Sequence, residues 1–310
     1  MKDKLRHICG FFAGFLIVLL VVCIPFNSLK ELGTQYLEVL KKTGNVAGEK
    51  ENSLDVIILG DSIAWAGYSP LAMYAKEEIS VYNCATSGQN LNDSIAILKR
   101  VLKTQKPKVV VLDANSVFTP GAIWKLKLKN VLRINRLTTQ IFPVFKYHDY
   151  YLKGYGNEKG LDYMKGYNYS ANVTSVSDTN YMVEKEVVWS EHDQNMLTSF
   201  YKLCNENQIS LLLTALPCPH TWNQTKHDLI QKWADTNSVE FIDYNVDSTV
   251  DYSKDFRDNG EHLNNTGANK YSDILSDYLV KNYSVSSKKN ESYEEAISNM
   301  NASIGKGWLE

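Results

Sequence analysis

Residues 56–62 read Val-Ile-Ile-Leu-Gly-Asp-Ser, four apolar residues in a row that stop at a glycine. A run without polar alternation makes a strand buried on both faces, as in a parallel sheet covered by helices on each side. Similar runs follow at Lys108–Asp113 (KVVVLD), Ile209–Ala215 (ISLLLTA) and Val239–Asp243 (VEFID), with a shorter one at Ile79–Asn83. Helical patterns separate them. Ser69-Pro70 is an N-cap with proline at the first helical position, opening a helix to about Glu78. From about Asn92 the apolar residues Ile95, Leu98 and Leu102 fall at helical spacing, and further helices are expected over 193–207, 226–236 and 266–281. Strand–helix alternation of this kind predicts an α/β fold: a three-layer αβα, doubly wound, flavodoxin-like sheet of five parallel strands.

Working outward, residues 30–52 read as a polar linker, 116–190 as an insertion and 282–310 as a polar, loosely attached tail. The insertion breaks the strand–helix rhythm and holds seven tyrosines between Tyr147 and Tyr169. The folded domain is therefore expected to run over 53–281. With 310 residues, 44% hydrophobic and 22% charged, the chain has globular composition, which excludes disorder as a whole. A net charge of −2 removes the broad basic surface of a nonspecific nucleic-acid binder.

Ile8 to Pro25 carries no charge, and twelve of its eighteen residues are Ile, Leu, Val or Phe. At roughly −0.3 to −0.6 kcal/mol for each of these, insertion into a bilayer is favoured by about 4 to 7 kcal/mol. At about 1.5 Å per residue the segment is roughly 27 Å long, close to the hydrocarbon thickness. No A-x-A-like cleavage site follows, so residues 1–29 are expected to be an uncleaved anchor. Lys2, Lys4, Arg6 and His7 precede the span. Their charge puts the N-terminus in the cytoplasm and residues 30–310 outside the cell membrane.

Cys9 and Cys23 lie in that segment, leaving Cys84, Cys204 and Cys218, an odd, widely spaced set from which no disulfide framework follows. Six histidines without dense His/Asp spacing suggest no metal, and nothing suggests another cofactor.

Ser62 follows the first strand, where a doubly wound sheet binds its ligands. Gly60 permits a tight turn there, although Gly-Asp-Ser by itself is equally an ordinary polar turn. Asp255 to Ala268 (DFRDNGEHLNNTGA) sets His262 among acids before the last helix. A serine after the first strand and a histidine after the last reach the same edge of such a sheet, which is nucleophile and base geometry.

With these residues the chain resembles the SGNH/GDSL hydrolase superfamily over about 54–281. Its first block corresponds to Gly60-Asp61-Ser62, its second to Gly88 in Asn83-Cys84-Ala85-Thr86-Ser87-Gly88, and its fourth to His262-Leu263-Asn264. Within the superfamily the chain looks most like membrane-anchored, DltD-like SGNH proteins of bacterial cell-envelope polysaccharide acylation. The supporting stretches are Gln105 to Lys108, Pro217 to Asn223 with Lys226-His227, Phe241 to Asp243, and His262 to Asn264. That resemblance implies a polysaccharide acceptor and work beside a multipass acyltransferase of the MBOAT type.

It also implies roles. Ser62 is the nucleophile, His262 the base, and the N–H groups of Ser62 and Gly88 stabilise the oxyanion. Two positions depart from the pattern. The triad acid usually stands three residues before the histidine, where this chain has Asn259, while Asp258 stands four before. Asparagine in that role holds the wrong histidine tautomer, so Asp258 in a bulged loop is expected instead. The third block, usually Gly-x-Asn-Asp, reads Leu112-Asp113-Ala114-Asn115. Asn115 then either gives its side-chain amide to the oxyanion or caps a turn.

Asp61, His148, His220 and Trp222 are further candidates for substrate contact. His148 stands near the tyrosine-rich insertion; His220 and His227 flank Trp222-Asn223 after the fourth strand. Three functions fit: acyl transfer to an exported polysaccharide, carbohydrate or lipid ester hydrolysis, or polysaccharide assembly on a non-catalytic scaffold. A receiver-like reading of Asp113 fails, because the first strand lacks the acidic pair a receiver carries there.

Overall fold

A computed structural model describes residues 2–30, 36–118, 141–148, 162–246, 248–285 and 287–309. Among them the chain forms α1 (Lys2–Cys23), α2 (Tyr36–Gly48), β1 (Val56–Leu59), α3 (Ser62–Gly67), α4 (Pro70–Glu77), β2 (Val81–Asn83), α5 (Leu91–Val101) and β3 (Val109–Asp113). Then follow α6 (Val144–Tyr147), α7 (Glu191–Glu206), β4 (Ser210–Ala215), α8 (Gln224–Asn237), β5 (Glu240–Asp243), α9 (Asn265–Asn282) and α10 (Glu291–Ile304).

The five strands make one parallel sheet in the order β2-β1-β3-β4-β5. Ile58 lies opposite Asn83 on one side and Val111 on the other. Every residue of β1 and β3 is buried, as their unbroken apolar runs require. One face carries α2, α5, α7 and α8: α5 packs on both α2 and α7, and Tyr201 of α7 stacks edge-on against Trp233 of α8. The other face carries α3, α4 and α9. This is the expected three-layer sheet. Because the chain steps from β1 to β2 on one side and to β3 on the other, the carboxyl ends of β1 and β3 are the switch point at which a doubly wound sheet binds its ligands.

The caps follow the sequence. Ser69 accepts from the Ala72 N–H and leads into Pro70, and Asn90 with Asp93 forms a capping box on α5. Asn264 accepts from the Gly267 N–H at the start of α9. Among the described residues α1 is the one helix long and apolar enough to cross a membrane by length and composition, a property that signal sequences share. Its apolar side chains, including Phe11, Phe12 and Phe15, are exposed.

The expected linker and tail are packed helices. In α2, Val39 and Val46 are buried, and Lys42 is buried with its ammonium donating to the carbonyls of Asn83 and Gly166. Burial brings that ammonium down to about 8. In α10, Tyr293 is buried and its hydroxyl donates to the Val81 carbonyl at 2.5 Å. The Lys165 ammonium joins the two segments, pairing with Glu49 at 2.7 Å and donating to Ser292. Trp308 closes the end of the chain, buried, with its carbonyl accepting from Asn269 at 2.7 Å. The insertion boundary at 116 falls inside a 3₁₀ turn, Ala114–Val117, and much of 116–190 lies outside the described residues.

Candidate active site

Gly60 follows β1 close against the end of β3: a Cβ there would sit 2.6 Å from Asp113 Cβ and 2.9 Å from Ala64 Cβ. Only glycine fits this approach. The chain then turns at Asp61, whose carboxylate caps α3 by accepting from the Ile63 N–H at 2.9 Å, and Ser62 is the first residue of that helix, half-buried. Asn83 at the end of β2 braces the turn. Its amide donates to the carbonyls of Ala64 and Tyr68 at 2.9 and 3.0 Å and its oxygen accepts from the Ala85 N–H at 3.0 Å. Gly88 follows at an exposed turn with φ +63°.

On the other side of the switch point, Asn115 lies in the 3₁₀ turn after β3 and its Nδ2 donates to Asp61 Oδ2 at 2.9 Å. Its Oδ1 accepts from Lys226 Nζ at 2.8 Å and from Thr221 Oγ1 at 3.3 Å. The turn itself is capped by Asp113, which accepts from the Asn115 N–H at 3.0 Å. Asp113 has an oxygen buried without a partner among the described residues, and burial, with Asp61 beside it, pushes this carboxyl well up. Burial also pushes the Asp61 carboxyl up, against the hydrogen bonds from Ile63 and Asn115 and the charges of His262 and Lys226.

The histidine arrives on a loop between two paired residues. Phe256 and Leu263 form an isolated antiparallel bridge, and the Arg257 N–H donates to the His262 carbonyl at 3.1 Å. Inside that loop Asp258 folds back: Oδ1 accepts from the N–H groups of His262 and Glu261 at 2.8 and 3.0 Å, and Oδ2 meets His262 Nδ1 at 2.6 Å. Gly260 closes the loop at φ +84°, with its carbonyl accepting from the His220 N–H at 3.0 Å. Partial burial opposes charge on Asp258, yet the hydrogen bonds from His262 and Glu261 outweigh it and hold the carboxyl below its usual range. Asn259 lies exposed at the loop's tip.

His262 Nε2 is buried with no hydrogen-bond partner among the described residues, so the Ser62 Oγ–Nε2 bond is not formed in this structure. Catalytic hydrogen bonds are often unmade until substrate binds. The loop is docked beside α3 all the same. A Cβ on Gly67, at the end of α3, would lie 3.7 Å from Leu263 Cδ1, and Arg257 donates to the Asn168 carbonyl while the Asn168 N–H donates to the carbonyl of Trp65.

The remaining candidates separate. His220 is exposed beside the histidine loop. Trp222 is not available to substrate: it is buried, its indole N–H donates to Asp243 Oδ2 at 2.9 Å, and it packs edge-on to Phe118. His227 binds the same carboxylate at 2.7 Å. His148 is exposed at the end of α6, which packs on the 3₁₀ turn after α1. Sequence reasoning missed Lys226 and Thr221 as partners of Asn115, for which spacing offers no signal. The possible ligand atoms of Asp258, Glu261 and His262 lie within 4.8 Å of one another, but Asp258 is already spent on the histidine and Glu261 is exposed. A cleft of about 540 Å³ lined by Gln105, Lys106, Pro107 and Tyr283 lies at the amino ends of β3 and β4, away from these groups.

No protein-family model matches the chain, and no curated protein matches it. Several solved structures do. The lipase/acylhydrolase from Enterococcus faecalis is 14% identical over 76% of this chain and 100% of its own, with a TM-score of 0.41. A GDSL-like lipase from Bacteroides thetaiotaomicron is 13% identical over 73% and 87%, with a TM-score of 0.39. A psychrotrophic esterase from Pseudoalteromonas is 13% identical over 73% and 94%, with a TM-score of 0.38. At such identities and scores, function rests on the chemistry of the site.

Proposed function

We propose that the chain is an SGNH-type serine acyltransferase, held at the cell membrane by α1 with its catalytic domain outside, that passes an acyl group to a cell-envelope or exported polysaccharide. The observation that carries this reading is the Asp258–His262 pair: an imidazole fixed through Nδ1, with Nε2 buried and without a partner among the described residues, beside the helix that begins with Ser62.

In this reading Nε2 takes the Ser62 proton as Oγ attacks the acyl carbonyl, and Asp258 holds the tautomer and stabilises the imidazolium. The carbonyl oxygen gains charge and is met by the N–H groups of Ser62 and Gly88 and by Asn115 Nδ2. Losing one such donor costs about 3 to 4 kcal/mol of transition-state stabilisation. The donor's alcohol leaves with the proton from His262; a sugar hydroxyl then gives its proton to His262 and attacks the acyl carbon, the bond to Ser62 Oγ breaks, and that proton returns to the serine. A multipass acyltransferase of the MBOAT type is the proposed source of acyl groups on the far side of the membrane.

Incubating the full-length chain in detergent with an activated acetyl ester tests this. Intact mass is expected to show one acetyl group on wild type and none on Ser62→Ala, with faster release on adding polysaccharide than in buffer. Equal labelling of both proteins defeats the serine mechanism. Release at the same rate with and without polysaccharide makes water the acceptor and the protein an esterase.

A further inference from the structure

An asparagine amide can present either end, and its neighbours decide which. Around Asn115 there are three: Asp61 Oδ2 at Nδ2, and Thr221 Oγ1 and Lys226 Nζ at Oδ1. A hydroxyl donates or accepts. The ammonium has one option, to donate, so it excludes the reversed amide. Lys226 is itself held in place, 5.1 Å above the Phe118 ring and 6.0 Å from that of Trp222, on the first turn of α8, where its N–H donates to the cap Asn223. A cation on Oδ1 also draws charge from the amide and strengthens Nδ2 as a donor.

We propose that Lys226 is a positioning residue for the oxyanion site, turning Asn115 Nδ2 towards the acyl oxygen and polarising it, so that the stabilisation Asn115 supplies depends on Lys226. This rests on the reading of Ser62 as nucleophile, and the test keeps the two apart.

The full-length chain is treated with a short alkyl fluorophosphonate. Ser62 Oγ forms a bond to phosphorus, the P–F bond breaks, fluoride leaves and the serine proton passes to His262 Nε2. The phosphoryl oxygen then occupies the place of the acyl oxygen. Asn115→Ala is expected to slow labelling about 10²-fold. Lys226→Met is expected to slow it at least tenfold with the melting temperature unchanged. The double variant should be no slower than Asn115→Ala alone, within about twofold, because residues acting as one unit are not additive. The ³¹P resonance of the adduct is expected to move in both single variants. Lys226→Arg, an obligate donor, should keep most of the rate, whereas Lys226→Gln should not.

Labelling of Lys226→Met at the wild-type rate, a double variant slowed by the product of the two single effects, or equal rates for the Arg and Gln variants each overturns the proposal. Wild type left unlabelled, or Ser62→Ala labelled as fast as wild type, overturns instead the nucleophile reading beneath it.

Discussion

Asp258 and His262 stand four residues apart in the chain, and their side chains meet at 2.6 Å, Oδ2 to Nδ1, across a loop rather than along a helix. The same carboxylate binds the backbone N–H of His262 through Oδ1, so one group sets both the loop and the imidazole. Four residues suit this geometry because Gly260, at φ +84°, lets the chain reverse between them.

Asp258→Asn is therefore expected to lower the rate of serine acylation by about 10⁴-fold, since an amide holds the wrong histidine tautomer. Asn259→Ala, at the exposed tip, should change it less than about threefold, in keeping with a surface substitution worth under about 0.5 kcal/mol. Both are read from activated-ester labelling. The reverse ranking would move the orienting role to Asn259.

Asp113 supplies a pH test. Its carboxyl is pushed up by burial and by Asp61, so the folded protein binds more protons than the unfolded chain between the ordinary carboxyl value and the raised one. Stability then falls as pH rises through that window. Asp113→Asn removes this term while keeping an acceptor for the Asn115 N–H. The variant is expected to melt higher than wild type at pH 8, with the difference vanishing near pH 4, in a pH series of thermal melts.

Gly60→Ala places a methyl group 2.6 Å from Asp113 Cβ and 2.9 Å from Ala64 Cβ. Overpacking of this kind costs about 1 to 3 kcal/mol. The melting temperature is expected to fall and labelling of Ser62 to slow, because the strain lies two residues from the nucleophile.

Tyr293 is fully buried against the sheet's β2 edge. Tyr293→Ala is expected to cost about 3 to 5 kcal/mol, as for other large aromatic truncations, measured by urea unfolding in detergent. A change under 1 kcal/mol would restore the tail to a loose appendage.

Topology is testable once the exposed Cys9 is replaced by serine, since the other native thiols, Cys23, Cys84, Cys204 and Cys218, are buried and give a quiet background. Lys232→Cys, on the exposed side of α8, is expected to react with a membrane-impermeant maleimide on intact cells. Labelling seen only after lysis would place the domain inside.

The strands were legible because burial on both faces leaves a one-dimensional trace: VIIL and VVVL stay apolar at every position, whatever their partners. Ser69-Pro70 was legible as a helix start because a cap acts within three residues. The linker and tail were not. Their helices bury single residues such as Val39 and Tyr293, together with charges neutralised from afar, as Lys165 is by Glu49 116 positions away. Trp222 read as a candidate for substrate contact because an aromatic residue after a strand looks the same in sequence whether it faces solvent or, as here, Phe118 and Asp243.

What the chain alone determined, then, is the parallel sheet, its winding and the two loops that carry Ser62 and His262, for each rests on local pattern and strand polarity. Which acid serves the histidine, which way Asn115 points and what holds it there were decided only in three dimensions. Those are contacts between side chains brought close by the turns after β1 and β3 and by the loops after β4 and before α9, and no local preference records them.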